Sequence, residues 1–262
     1  AGMTSGLTAG TVVAGYLAGE RVLAYSLFAV AVAMSCLAFV FINREPPATK
    51  RPVRQFSLSS FLKGFWVDPR RYPDFAWAFA GRFTVYMGYQ AVATYMLYIL
   101  RDYIGLSNQA STIAIANLAL VTLVFLVITS LVSGVWSDRV QRVKPFVFAA
   151  SLIMGCAMLF PLVQPDMKGM WAYAVTIGIG YGMFMSIDMA LMTRVLPETE
   201  QGDEGKDLGL LTTAVNIPQI ISPVMAAILL NAFDGNYAAI FWAAVVFVFT
   251  SALCVLPIRS VR

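Results

Sequence analysis

Histidine is absent from this 262-residue chain, only 12% of its residues are charged, and its cysteines number three. Without imidazole, histidine-based acid–base chemistry and histidine-ligated zinc are excluded. Proton handling near neutral pH then falls to carboxylates or water. Cys36, Cys156 and Cys254 each stand alone in an apolar stretch, which fits neither a disulfide framework nor a metal cluster, so they read as buried structural thiols. Neither a nucleophile elbow nor a phosphate-binding loop is present, and no enzymatic activity, cofactor or metal is expected. Gly178, Gly180 and Gly182 have the spacing of part of a dinucleotide fingerprint. No βαβ unit surrounds them, so they read as points of close packing or bending in a helix.

What the chain has in abundance is apolar sequence: 59% of its residues are hydrophobic, too many for a soluble domain to cover with polar surface. Eight apolar stretches run roughly over residues 1–18, 22–42, 75–100, 111–135, 146–164, 169–193, 208–232 and 237–258. Most approach or exceed the ~20 residues that a helix needs to cross a bilayer. The expected fold is therefore an all-α, polytopic transmembrane bundle of about eight spans, with the lipid bilayer as its solvent.

The net charge of +4 is explained by topology rather than by nucleic-acid binding, because the charges cluster in alternate breaks between stretches. Residues 43–74 hold Arg44, Lys50, Arg51, Arg54, Lys63, Arg70 and Arg71, and the break 136–145 holds Arg139, Arg142 and Lys144. The intervening breaks carry only Arg21, Arg101 and Lys168. The positive-inside rule makes the rich breaks and the C-terminus cytoplasmic, in a multi-pass protein of the cell membrane.

The break 43–74 is the longest and contains Pro46, Pro47, Pro52, Pro69 and Pro73, which reads as a linker between two bundles. Within it Leu58, Phe61, Leu62 and Phe65 recur at helical spacing, predicting a short helix on the membrane surface. Trp66, Trp77, Trp136, Trp171 and Trp242 fall near predicted helix ends, where an aromatic belt sits. Residues 1–19 lack a basic n-region and a starting Met, and read as the tail of a helix rather than a signal peptide. Its glycines at four-residue spacing suit close helix packing.

Two ionisable residues, Arg82 and Asp188, lie well inside predicted spans. Each would cost on the order of 3 kcal/mol or more in hydrocarbon, so each is expected to face a protein interior or a watery cavity. At about 1.5 Å per residue both lie roughly 9–11 Å from the inner boundary, which permits an ion pair. Tyr86, Tyr89 and Gln90 follow Arg82 within two turns, and Ser186 flanks Asp188. Aromatic faces, amides and hydroxyls suit a sugar, which offers apolar C–H faces and hydroxyl edges. Asn216, Pro218, Gln219 and Pro223 interrupt another span; proline frees a helical carbonyl, and broken helices can line transport paths.

Gly134-Val-Trp-Ser-Asp138-Arg139-Val-Gln-Arg142-Val-Lys144 is similar to the loop signature G-x-x-x-D-R-x-G-R-[RK] of the major facilitator superfamily, with Gln141 and Val143 as departures. Asp188-Met-Ala-Leu191, Val195-Leu-Pro197, Gly205-Lys-Asp-Leu-Gly209 and Asn216-Ile-Pro-Gln219 resemble the bacterial relatives of sucrose/proton symporters and of glycoside, pentoside and hexuronide transporters. Gly81-Arg82-Phe83 after Tyr72-Pro-Asp-Phe75 fits the same group. The resemblance implies that residues 1–42 end the N-terminal half of a twelve-helix transporter, 43–74 form its cytoplasmic linker, and 75–262 form its C-terminal six-helix bundle. The remainder of the N-terminal half would be the partner that completes the path.

The implied function is transport of a small polar solute, a sugar above all, by proton-coupled alternating access. Arg82, Tyr86, Tyr89, Gln90, Asp188, Asn216 and Gln219 would line the cavity, while Gly134, Asp138, Arg139 and Arg142 would form a cytoplasmic gating loop. Efflux of amphipathic compounds and a non-transporting receptor or scaffold are the alternatives. In the gating loop Asp138 is expected to meet a helix N-terminus, and Arg139 and Arg142 to reach carboxylates or C-terminal carbonyls.

Overall fold

The computed structural model describes residues 20–42, 69–195 and 204–258, with scattered residues before Glu20. The first apolar stretch is thus only partly described, and the interfacial helix and Trp66 lie outside the described residues. Among the described residues seven helices follow in order: α1 (Arg21–Ile42), α2 (Pro73–Tyr98), α3 (Asn108–Val140), α4 (Lys144–Val163), α5 (Met167–Val195), α6 (Glu204–Ala232) and α7 (Ala238–Val255). No strand occurs among the described residues. The expected all-α, polytopic bundle is the architecture found.

Among the described residues, six helices are long and apolar enough to cross a membrane. The exception is α2, in which Arg82, Gln90, Tyr86, Tyr89, Tyr95 and Tyr98 dilute the apolar residues. Arg82 and Tyr86 are buried and Tyr89, Gln90 and Tyr95 partly so, while Tyr98 near the end of the helix is exposed. It packs against α7, α6 and α5, while α5 also packs on α3 and α4, and α4 packs on α7. Helix α1, by contrast, is exposed along nearly its whole length, as an all-apolar helix in contact with lipid would be.

Close approach of backbones holds the interior together. A Cβ added at Gly182 of α5 would collide with the backbone of Leu126 in α3, and one at Gly88 of α2 would lie 2.8 Å from the Ala244 carbonyl oxygen of α7. Thr122 of α3 donates its hydroxyl to the Ala174 carbonyl of α5 (3.2 Å). The glycine-rich run of α5 therefore serves helix packing, in which small residues let backbones meet.

Local chemistry sets the helix ends. Ser107 Oγ accepts the Ala110 N–H at the start of α3, Asp166 Oδ1 accepts the Gly169 N–H at the start of α5, and Asn236 Oδ1 accepts the Ala238 N–H at α7. Each satisfies an amide that the first helical turn leaves open. At the end of α4 the Pro161 carbonyl has no helical partner, because the residue four positions on is Pro165. Tyr103 supplies the missing donor, its hydroxyl lying 3.2 Å from that oxygen.

Only Cys254 is buried; Cys36 and Cys156 are exposed, which corrects the expectation of three buried thiols. Both project from apolar helix surfaces, where a small apolar thiol faces lipid without cost. Trp77 and Trp136 are exposed near the same end of the bundle, and Trp171 and Trp242 near the other, giving a belt at each.

Candidate substrate cavity

Arg82, Tyr86 and Tyr89 recur at intervals of four and three along α2, and Tyr181, Phe184, Met185 and Asp188 at three, one and three along α5. Helical periodicity gathers each set on one face, and the two faces meet. Arg82 Nε stands 3.1 Å from Asp188 Oδ2, with both side chains less than a tenth exposed. Tyr86 lies beside this pair and Tyr181; its hydroxyl reaches Met185 Sδ at 3.5 Å, and its ring meets Phe184 edge-on with centroids 6.2 Å apart. One layer further from the charges, Tyr89 and Tyr181 stack with centroids 4.5 Å apart and planes at 11°.

The pair is incompletely satisfied. Nε is close to Asp188 but poorly aligned, and neither Nε nor Nη1 of Arg82 has a hydrogen-bond partner. Buried guanidinium donors without partners are costly, on the order of 1–3 kcal/mol each. The cluster thus offers unpaired cationic donors, a carboxylate, phenol hydroxyls and stacked aromatic surface, with Arg82 and Asp188 cancelling in net charge. Such a set suits a neutral ligand rich in acceptors and hydroxyls.

The other expected cavity residues are placed apart from this cluster. Gln90 is partly buried and donates to Thr94 Oγ1 on its own helix (3.4 Å). Asn216 and Gln219 are exposed on α6, three residues apart and so on one face. Helix α6 carries Pro218 and Pro223 yet joins α2 through Tyr95, whose hydroxyl donates to the Pro223 carbonyl (3.3 Å). Ser186 turns to α3, its Oγ lying 2.8 Å from Ser133 Oγ. Tyr181 and Phe184 were not singled out from sequence, although they stand seven and four residues before Asp188, the signal for a shared face.

The α3–α4 turn holds the loop residues. Gln141 has φ 54°, the left-handed conformation that favours glycine, which is the physical reason for a glycine at that place in the related signature. Gln141 Nε2 donates to the Asp138 carbonyl (2.6 Å) and Ser137 Oγ to the Arg142 carbonyl (3.2 Å). Asp138, Arg139 and Arg142 are exposed, and no side-chain ion pair joins them to another described residue. The reach to helix C-terminal carbonyls belongs instead to Lys144, whose Nζ donates to Leu256 O (2.5 Å) and Ile258 O (2.8 Å).

At the other end of the bundle, a π-helical turn over Ile99–Tyr103 continues α2. It carries a clasp that sequence reading did not find. Arg101 holds Asp102 with two hydrogen bonds of 2.5 and 2.8 Å, and Tyr237, just before α7, donates to Asp102 Oδ2 at 3.0 Å. The Arg101 hydrogen bonds, with that of Tyr237 adding to them, hold the Asp102 carboxyl below its ordinary range.

Residues 1–203 match the family profile described as Major Facilitator Superfamily. No curated protein matches the chain.

Proposed function

The chain belongs to the Major Facilitator Superfamily and is a secondary transporter of some solute; from that premise we propose that the solute is a sugar or similar polyol, moved by proton-coupled alternating access. The observation that carries this reading is the buried Arg82–Asp188 pair, in which Nε and Nη1 of Arg82 make no aligned hydrogen bond, beside the aromatic group of Tyr86, Tyr89, Tyr181 and Phe184. Helices α2–α7 form one half of the cavity wall, and the Lys144 end of the bundle is cytoplasmic.

With no histidine in the chain, the proton carrier is a carboxylate, and Asp188 is the one held in the interior of the described bundle. Protonation of Asp188 removes its attraction for Arg82. The guanidinium then turns its donors to substrate hydroxyls, and deprotonation restores the pair and weakens that hold. Differential affinity between the two states is what couples proton and solute movement. In the α3–α4 turn, Asp138 and Arg139 bias the balance between inward-open and outward-open forms without touching substrate.

Uptake of radiolabelled sugars by the full-length transporter, with and without an uncoupler, tests the proposal. Saturable accumulation that collapses with uncoupler and with Asp188→Asn is expected. Failure of every sugar, combined with uncoupler-sensitive extrusion of an amphipathic dye, would replace it with efflux.

A further inference from the structure

The Lys144 end of α3 carries an outward-facing feature apart from the solute cluster. Leu131, Val132, Val135, Trp136 and Arg139 line a groove of about 540 Å³. Their intervals place all five on one helix face. The four apolar members are each more than half exposed. Trp136 is braced as one wall, its ring meeting Phe146 of α4 edge-on at 5.6 Å. Arg139 closes the groove at its outer end, exposed and without a hydrogen bond or ion pair among the described residues.

We propose that this groove binds one anionic phospholipid, its acyl chain lying along Leu131, Val132, Val135 and Trp136 and its phosphate held by Arg139. The length fits: at about 1.5 Å per residue, Leu131 to Arg139 spans ~12 Å, close to the ~15 Å of hydrocarbon in one leaflet. The side of the bundle fits as well, because Trp136 sits where indole marks the boundary between hydrocarbon and headgroups, one turn before the guanidinium.

Charge selects the headgroup. The turn from Asp138 to Lys144 holds one acid and three bases, Arg139, Arg142 and Lys144, for a net charge of −1 + 3 = +2. Lys144 is engaged with the Leu256 and Ile258 carbonyls just past α7, which leaves Arg139 and Arg142 to face the membrane surface. The planar guanidinium binds phosphate through two parallel hydrogen bonds, and a basic rim favours an anionic lipid over a zwitterionic one. A single helix face is too narrow for a stable protein partner, which needs on the order of 800 Å² per side.

The test uses the full-length transporter in detergent, titrated with phosphatidylglycerol, phosphatidylcholine or glycerol phosphate, and read by native mass spectrometry and thermal stability. Phosphatidylglycerol is expected to stay bound and to raise the melting temperature, whereas phosphatidylcholine and glycerol phosphate do neither. Arg139→Gln is expected to reduce phosphatidylglycerol retention several-fold. Val135→Trp, which fills the groove and keeps the charge, is expected to do the same, and Arg142→Gln to reduce it less. Equal retention by the parent, Arg139→Gln and Val135→Trp overturns the proposal. So does equal retention of the two lipids, or stabilisation by glycerol phosphate as strong as by lipid. A groove filled by another segment of the chain, or by a second copy, shows itself as stability independent of added lipid and also overturns it. None of these outcomes depends on which solute is carried.

Discussion

Arg82 and Asp188 meet at 3.1 Å from helices α2 and α5, which are separated in sequence by α3 and α4. Removing one partner leaves the other buried without compensation, a loss of about 3–5 kcal/mol. Arg82→Gln and Asp188→Asn should each lower thermal stability strongly, and the double variant should recover part of the loss. A double-mutant cycle on melting temperature in detergent checks this, and additive losses would reject the coupling.

The two glycine environments predict opposite responses. Gly182→Ala pushes a methyl group into the Leu126 backbone and should cost about 1–3 kcal/mol. Gly134 has nothing within 4 Å of an added Cβ, so Gly134→Ala should gain up to about 1 kcal/mol of helix propensity. Denaturation of both variants under one condition decides the sign of each.

At Gln141 the chain carries a side chain at φ 54°. Strain of this kind is worth about 1 kcal/mol, and Gln141→Gly should relieve it, less the weak contribution of the Gln141 hydrogen bond to Asp138. A small rise in melting temperature is expected; a fall of several degrees would show that the hydrogen bond outweighs the strain.

Folding stability should respond to acid through Asp102. Its folded carboxyl is held below the ordinary carboxylate value by Arg101 first and Tyr237 second. The stabilisation is therefore present above the unfolded value of about 4 and is lost as pH falls through the lower folded one. Asp102→Asn should be less stable than the parent at pH 7, and the two melting curves should converge towards pH 3. A gap that is constant across that range would deny the linkage.

Lys144 should matter through α7. Lys144→Met keeps the stem but removes two charge-assisted hydrogen bonds to the carbonyls of Leu256 and Ile258, for an expected loss of about 1–3 kcal/mol. Hydrogen exchange at the end of α7 should increase while exchange at the start of α5 stays unchanged.

The helices were legible because a bilayer demands long apolar runs, and runs such as 22–42 and 237–258 are visible without any partner. The ion pair was legible because buried charge in a membrane requires company, and depth can be counted along each helix. The rest depended on direction rather than spacing. Ser186 neighbours Asp188 in sequence but turns to Ser133; Tyr181, unremarked in sequence, is the ring that Tyr89 stacks on. Lys144 looked like simple positive-inside charge until its reach across to α7 was visible. Membrane exposure also inverted the reading of Cys36 and Cys156, since an apolar surrounding in sequence does not distinguish a protein core from lipid.

The polarity of α2 bears on how the chain enters the membrane during synthesis. An arginine inside a nascent span costs up to roughly 2.5–3.5 kcal/mol for insertion, the figure for the helix centre, and α2 has too little apolar sequence elsewhere to offset it readily. Its counter-charge, Asp188, emerges only with α5, the third helix to follow. Helix α2 is therefore expected to wait at the insertion machinery, or to slide out of it, until α5 arrives and the two enter as a unit. Glycosylation tags placed after α2 in chains truncated before and after α5 would register that delay as a change in the fraction integrated.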